Sequence, residues 1–485
     1  MSLVNSRNTE LENTELDGLY LYGSGEQDQL SPLKENEKYE ELFETKIPLK
    51  IPLHFISPHE KIKLIKCGQM FTMILSTQGN VYTFGCADNG GIGHEDSISA
   101  KKVNIDFKPI GISGGDCHGL AYNENFLAFW GQFRNSQGNI GDPCIDIKYF
   151  NKSDINNETF KKVISGTNHV LILTEEKNIF AFGNKEFGQR GIDPNTNINH
   201  LSINKINENN VDDIFTGDEH SFLIKYYNNN QIVKSWGLNT KGQLGIGTSS
   251  LDNNSDMNIF IPTKIDFPEN LKIKKITGGS GTSICLTEDN RVFIWGGNDD
   301  NLLGLNDNEV VINKPKELIF FNPNSNPQNE VNEIIATFQS FYARNTNNNK
   351  VYSWGSGDSF ILGNKKERAE KKPYLIDNKF FKNLKISNLD LGCSHVAVVL
   401  TKDERLYNDY KNESIKKEKI NEIIYEDKNN KPIKRKSDNY YEENNNSINK
   451  NEENFIKLKK YEIREEYITF NVKDRPKTKS KLFKI

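Results

Sequence analysis

A step from an aromatic residue to glycine recurs seven times along this chain: Tyr22-Gly23, Phe84-Gly85, Trp130-Gly131, Phe182-Gly183, Trp236-Gly237, Trp295-Gly296 and Trp354-Gly355. Successive glycines fall 46 to 62 residues apart, the period of propeller blades. A second motif, Gly-x-x-His or a relative of it, alternates with the first. It runs from Gly68 to Phe71, Gly115 to His118, Gly166 to His169, Gly217 to His220, Gly279 to Thr282, Phe338 to Phe341 and Gly392 to His395. The intervening stretch reads like "HVLILTEEKNIFAFG": an apolar run, a polar turn and a second apolar run, the pattern of a β-hairpin. The chain opens on the first motif and closes on the second. The N-terminal strand is thereby expected to complete the blade begun by the C-terminal repeat, which removes the open sheet edges of a linear array. The expected fold is all-β: a seven-bladed β-propeller over residues 18–410. A polar tail (1–17) precedes it and a polar, disordered extension (411–485) follows it.

The bulk numbers exclude several classes. With 62 basic and 66 acidic residues the net charge is −4, so no whole-chain field points to nucleic acid or membrane. The six cysteines form no C-x-x-C pair, which argues against a zinc site and for a reducing compartment. No apolar run approaches a membrane span, and the N-terminus lacks a signal-peptide core. No Ser/His/Asp arrangement or phosphate-binding lysine loop is apparent, so neither covalent chemistry nor a cofactor is expected. His118, His169, His220 and His395 could suggest a metal site. Equivalent positions of a propeller point around a ring, however, and several copies hold Phe or Thr. Packing and hydrogen bonding to a neighbouring strand is the preferred reading.

In five copies a second glycine follows the aromatic-Gly glycine at eight residues, as in Gly85/Gly93 and Gly183/Gly191. In "FWGQFRNSQGNIG" Gly131 and Gly141 stand ten apart. Two extra residues lengthen a hairpin by one residue per strand and leave the in/out alternation unchanged. Phe133, Arg134, Asn135, Ser136, Gln137, Gly138 and Asn139 are expected to project from one face of the disc. Three residues beyond each aromatic-Gly glycine stand Glu26, Asp88, Arg134, Glu186, Thr240, Asp299 and Asp358. Five of the seven are acidic, which reads either as a carboxylate ring for a basic partner or as a column of turn formers.

Trp-Gly, eight-spaced glycines and Gly-x-x-His together resemble the repeat of the regulator of chromosome condensation family, over about four-fifths of the chain. "FWGQFRNSQGNIG" resembles that family's extended hairpin in the third repeat. The resemblance implies a guanine-nucleotide exchange factor for a Ran-like small GTPase. The hairpin would act as a wedge at the nucleotide site, and the acidic face would hold basic residues of the GTPase. Glu26, Asp88, Asp116, Asn168, Asp299, Asp358 and His395 would belong to the GTPase-binding set. Asn168 replaces the family's aspartate, Glu26 replaces another, and Phe71 replaces a histidine. The alternative is a non-catalytic propeller scaffold that binds a tubulin- or ubiquitin-ligase-associated protein.

The family's basic N-terminal tail is missing: Glu10, Glu12, Glu15 and Asp17 face a single arginine, Arg7. The basic residues lie instead at the C-terminal end, as Lys434, Arg435 and Lys436 and then Lys473, Arg475, Lys477, Lys479 and Lys481. That segment is expected to serve as a nuclear import signal or as a phosphate-binding contact to chromatin or DNA. The chain is expected to be monomeric, without membrane contact, in the nucleus and also the cytoplasm.

Overall fold

In a computed structural model, residues 18–402 are described except for 27, 31–43, 96–98, 194, 197–198, 229, 250–256, 269–270 and 306. Both tails, with every basic residue singled out in the C-terminal one, lie outside the described residues. The described strands form seven antiparallel sheets of four. Blade 1 is assembled from both ends of the chain. Its strands run Lys385–Leu391, His395–Thr401, Gly18–Ser24 and Glu44–Lys50 from the channel outward. Gly18 pairs with Leu400 and Gly23 with His395, so the ring closes between terminal strands as expected. Blades 2 to 7 follow in chain order. Their innermost strands are Ile62–Cys67, Gly111–Gly114, Phe160–Ser165, Val211–Thr216, Ile273–Gly279 and Glu333–Thr337.

The recurrent residues stitch each blade to its neighbour. Trp130, Trp236, Trp295 and Trp354 are fully buried. The first three donate their indole N–H to a carbonyl of the preceding blade, at Gly91, Gln189 and Gln243, over 2.8–3.0 Å. The eight-spaced glycine packs under that ring: a Cβ on Gly93 would stand 2.9 Å from Trp130 Cδ1. The aromatic-Gly glycine is required for a different reason. Gly131 has φ +88°, and a Cβ there would meet the Cys117 carbonyl oxygen at 2.2 Å, an approach only glycine permits.

The histidines bind hydroxyls of the next blade. Nε2 of His118, His169, His220 and His395 lies 3.1, 2.8, 2.8 and 3.0 Å from Ser165, Ser221, Ser283 and Thr72. Ser221 Oγ and Ser283 Oγ already donate to the carbonyls of Gln189 and Gln243, so the His169 and His220 Nε2 atoms carry protons and donate. Burial holds all four imidazoles far below their usual pKa, at about 3 for His118, His169 and His220 and about 4 for His395. These are neutral structural histidines.

The seventh copy of this motif is displaced from its sequence reading by one residue. In every other blade the His, Phe or Thr of the motif pairs with the aromatic-Gly glycine, as His118 does with Gly131 and Thr282 with Gly296. In blade 7 it is Ser340, not Phe341, that pairs with Gly355. Phe341 faces Trp354 instead and stacks on it, ring centroids 5.5 Å apart. The motif therefore runs from Thr337 to Ser340. A glycine is dispensable at Thr337 because no ring stands at Ser340. In five other copies the imidazole or phenyl covers the glycine, so that a Cβ on Gly115 would lie 2.1 Å from the His118 ring, while at Gly279, opposite Thr282, it is the Phe338 carbonyl oxygen that a Cβ would meet, at 2.0 Å.

Candidate functional site

The innermost turn of each blade (the Gly-x-x-His loop) and the loop that follows its third strand emerge on the same face, because the second strand returns antiparallel to the first. Among the described residues, blade 3 differs from the rest on that face. Its third and fourth strands, Phe126–Asn135 and Gly138–Asn151, continue beyond Gly131 as a ladder that closes in a two-residue turn at Ser136-Gln137. In blades 2 and 4 the third strand, Val81–Gly85 or Ile179–Gly183, stops at the glycine. The two extra residues thus do more than lengthen each strand by one, because they convert an irregular loop into a hairpin. Register irregularities fall between Ile140 and Cys144 and between Cys144 and Lys148; the second lies at Gly131 and has counterparts at Gly237, Gly296 and Gly355, whereas the first belongs to the hairpin.

Phe133, expected in the projection, is fully buried. It alternates onto the face of Phe129 and Gly131. With no side chain at Gly131, its ring stacks 5.0 Å from Phe129 and lies 4.6 Å from His118 and 5.7 Å from Phe182. Phe133 anchors the hairpin, and the exposed part begins at Arg134.

Hydrogen bonds hold that part on both flanks. Asn139 Nδ2 donates to Asn89 Oδ1 of blade 2 over 2.7 Å. On the blade-4 side the Ser136 amide donates to Glu186 Oε2 over 2.8 Å, and its hydroxyl donates to Oε1. The Arg134 amide donates to Asn168 Oδ1 over 2.8 Å, and Arg134 Nη1 meets Asp116 Oδ2 at 3.2 Å. Asn168 and His395 are themselves buried. Asn168 supports the hairpin backbone, and His395 lies beneath the surface against Thr72, so neither offers an open contact. Between blades 2 and 3, beside the hairpin base, is a cleft of about 200 Å³ lined by Met70, Cys86, Asp88, Asn89, Gly91, Asp116, Cys117 and Arg134.

Inward of the hairpin, backbone bonds link successive innermost turns around the channel mouth. Asp116 N donates to Thr167 O, Thr167 N to Asp218 O, Ser280 N to Phe338 O and Cys393 N to Gln69 O, over 2.8–2.9 Å. This ring places Asp116 of blade 3 near Asp218 of blade 5, with Glu219 next to it. Desolvation at the rim pushes the Asp218 carboxyl up to about 7 and the Glu219 carboxyl up to about 8. The Asp116 charge contributes to both rises and the Asp218 charge more strongly to that of Glu219, while bonds from Thr167 to Asp218 and from Asn168 and Gln189 to Glu219 act in the opposite sense. Both keep partial solvent contact. A cation brought to this rim would draw both carboxyls toward their charged form.

Asp218 and Glu219 escaped the sequence reading, although "GDEH" carries them in plain view beside a motif residue. The acidic column, open in sequence between a carboxylate ring and a set of turn formers, is largely self-satisfied. Glu186 holds Ser136, Asp299 Oδ2 meets Lys241 Nζ at 3.0 Å, and Asp358 Oδ2 accepts from Ser356 over 2.7 Å. Asp88, Asp299 and Asp358 each open a short 3-10 turn, which is the turn-former role. Glu26 and Asp88 remain exposed.

This face, on a closed ring of seven blades stitched by Trp-Gly and Gly-x-x-His repeats, defines a propeller whose distinguishing feature is one extended hairpin beside an acidic channel mouth. The RCC1-like domain model matches residues 18–398, and the chain belongs to that family. The regulator of chromosome condensation of Xenopus laevis is 24% identical over 389 residues, covering 75% of this chain and 86% of that protein. The guanine nucleotide exchange factor SRM1 of Saccharomyces cerevisiae is 25% identical over 398 residues, covering 71% and 79%. The crystal structure of Prp20p from Saccharomyces cerevisiae, described with its binding properties to Gsp1p and histones, superposes with a TM-score of 0.68 at 23% identity, over 83% of this chain and 95% of that one.

Proposed function

We propose that this protein is a guanine-nucleotide exchange factor for a Ran-like small GTPase, acting in the nucleus and without covalent chemistry. The observation that carries the reading is the blade-3 hairpin. Its tip, Arg134 to Asn139, is presented on a buried Phe133 anchor and tied to both neighbouring blades beside the acidic rim. Exchange requires only that the protein bind the nucleotide-free GTPase more tightly than the loaded form. By linkage it then weakens nucleotide affinity by the same factor. The hairpin tip supplies the differential contact at the phosphate-binding loop, and its preorganisation lowers the entropy cost of insertion. Asp116, Asp218, Glu219, Glu26 and Asp88 hold basic residues of the GTPase and raise the association rate, with Asp299 and Asp358 farther round the same face. The C-terminal basic residues Lys434, Arg435 and Lys436 and the cluster from Lys473 to Lys481 serve chromatin or DNA contact. The relatives named as exchange factor and as binder of Gsp1p and histones support this reading.

The deciding measurement is release of labelled GDP from Ran with and without this protein. Acceleration by orders of magnitude is expected. No acceleration, together with stable binding to an unrelated protein, would establish the scaffold alternative.

A further inference from the structure

The ring of innermost turns at the channel mouth consists of Gln69, Asp116, Thr167, Asp218, Ser280, Phe338 and Cys393. Phe338 holds its place there because its carbonyl accepts the Ser280 amide over 2.8 Å, as the Asp218 carbonyl accepts that of Thr167. The other six are polar or small. Phe338 is 48% exposed, and among the described residues it is the one large apolar side chain left open on these inner turns.

Its backbone is also unusual. Thr337 pairs with Ser340 across a two-residue turn, and Phe338, the first of the two central residues, has φ +39°. A positive φ at that position alone is the pattern of a type II′ turn, where glycine is the ordinary occupant. No other member of the ring has a positive φ. A bulky side chain in this region is strained, and such strain concentrates at ligand clamps and functional surfaces. Nor does packing account for the ring: nearly half of it is in solvent, and the aromatic stack of this blade is supplied by Phe341 on Trp354.

We propose that Phe338 is an anchor for the protein partner at the channel mouth, seated in an apolar depression of the GTPase whose basic rim faces Asp116 and Asp218. An exposed aromatic side chain surrounded by polar groups has the composition of an interface hot spot. The inference rests on the exchange reading and adds a second contact point, across the channel from the hairpin.

The test uses the full chain with Phe338→Gly and Phe338→Asn, both suited to positive φ. Melting temperature and affinity for nucleotide-free Ran are measured, with Arg134→Ala as a hairpin comparison. Affinity should fall tenfold or more while the melting temperature holds or rises by a degree or more. A melting temperature several degrees lower would make the ring structural, and affinity within twofold of the parent would remove it from the interface; either result overturns the inference. If the parent binds and Arg134→Ala weakens it while the Phe338 variants do not, the exchange reading stands and this inference fails. A parent that neither binds Ran nor releases its nucleotide overturns both.

Discussion

The Phe133 ring lies 4.6 Å from the His118 imidazole, one on the hairpin and the other on the strand inside it. His118 in turn bonds Ser165 of the next blade. The hairpin is therefore continuous with the stitching between blades 3 and 4. Replacing Phe133 with Ala should lower stability by about 3–5 kcal/mol, the cost of emptying a buried phenyl site. Chemical denaturation would measure it, and a loss below about 1 kcal/mol would contradict the anchor role.

Glu186 acts at the other end of the hairpin, where it accepts both the amide and the hydroxyl of Ser136. Such bonds at a partly exposed site contribute about 0.5–1.5 kcal/mol each. Glu186→Ala should thus leave the melting temperature within a few degrees while slowing GDP release about tenfold, roughly 1.4 kcal/mol of lost preorganisation. Unchanged release would mean that the tip needs no clamp.

The buried histidines make stability depend on acid. Their native pKa values of about 3 to 4 lie below the ordinary 6.5, so the unfolded chain takes up protons first as the pH falls. Their contribution is complete above pH 6.5 and declines between there and about pH 3. His169→Gln should be destabilising at pH 7, yet its stability should fall less than the parent's between pH 6.5 and 4. Parallel curves for the two proteins would show that His169 is not titrating as buried.

Asp218 carries the opposite sign. Its native carboxyl sits at about 7 against an ordinary 3.8, so the folded state holds the proton longer, and stability is lost as the pH rises from about 4 through 7. Asp218→Asn should raise the melting temperature at pH 8, change it little at pH 4, and weaken binding of a basic partner. A variant less stable at pH 8 than the parent would show that the charge is compensated.

The basic C-terminal segment should contact nucleic acid through phosphate alone. The logarithm of affinity for duplex DNA should then fall linearly with the logarithm of salt, by about 0.9 per phosphate neutralised. Removing residues 411–485 should abolish nucleosome retention and leave GDP release in solution unchanged. Equal retention of full-length and truncated protein would assign the contact to the propeller.

Blade number and closure were legible because every repeat must solve the same crowding problem with the same small residues, Gly131 against Cys117 and Gly93 under Trp130. The hairpin's place was legible from a spacing of ten where eight is usual. Its anatomy was not: the alternation Phe129, Gly131, Phe133 puts Phe133 on the buried face, but only if the strand continues past the glycine, and the other copies imply that it stops. The seventh Gly-x-x-His copy was misread for a related reason. Phe341 looks like Phe71 in type, whereas the register is set by which residue opposes Gly355, and that is Ser340. Asp218 and Glu219 escaped notice because their importance comes from neighbours two blades away in the ring.

The pairing of Gly18–Ser24 with His395–Thr401 also sets a schedule for synthesis. Once Gly18–Ser24 has been synthesised, its permanent partner follows only some 370 residues later, a wait of some tens of seconds at about 5–20 residues per second. Until then Leu19, Leu21 and Tyr22, all destined for full burial, belong to an unfinished sheet in a growing polypeptide. The growing propeller is most vulnerable at this strand, and protection of that one short segment by a chaperone would decide how many rings are completed.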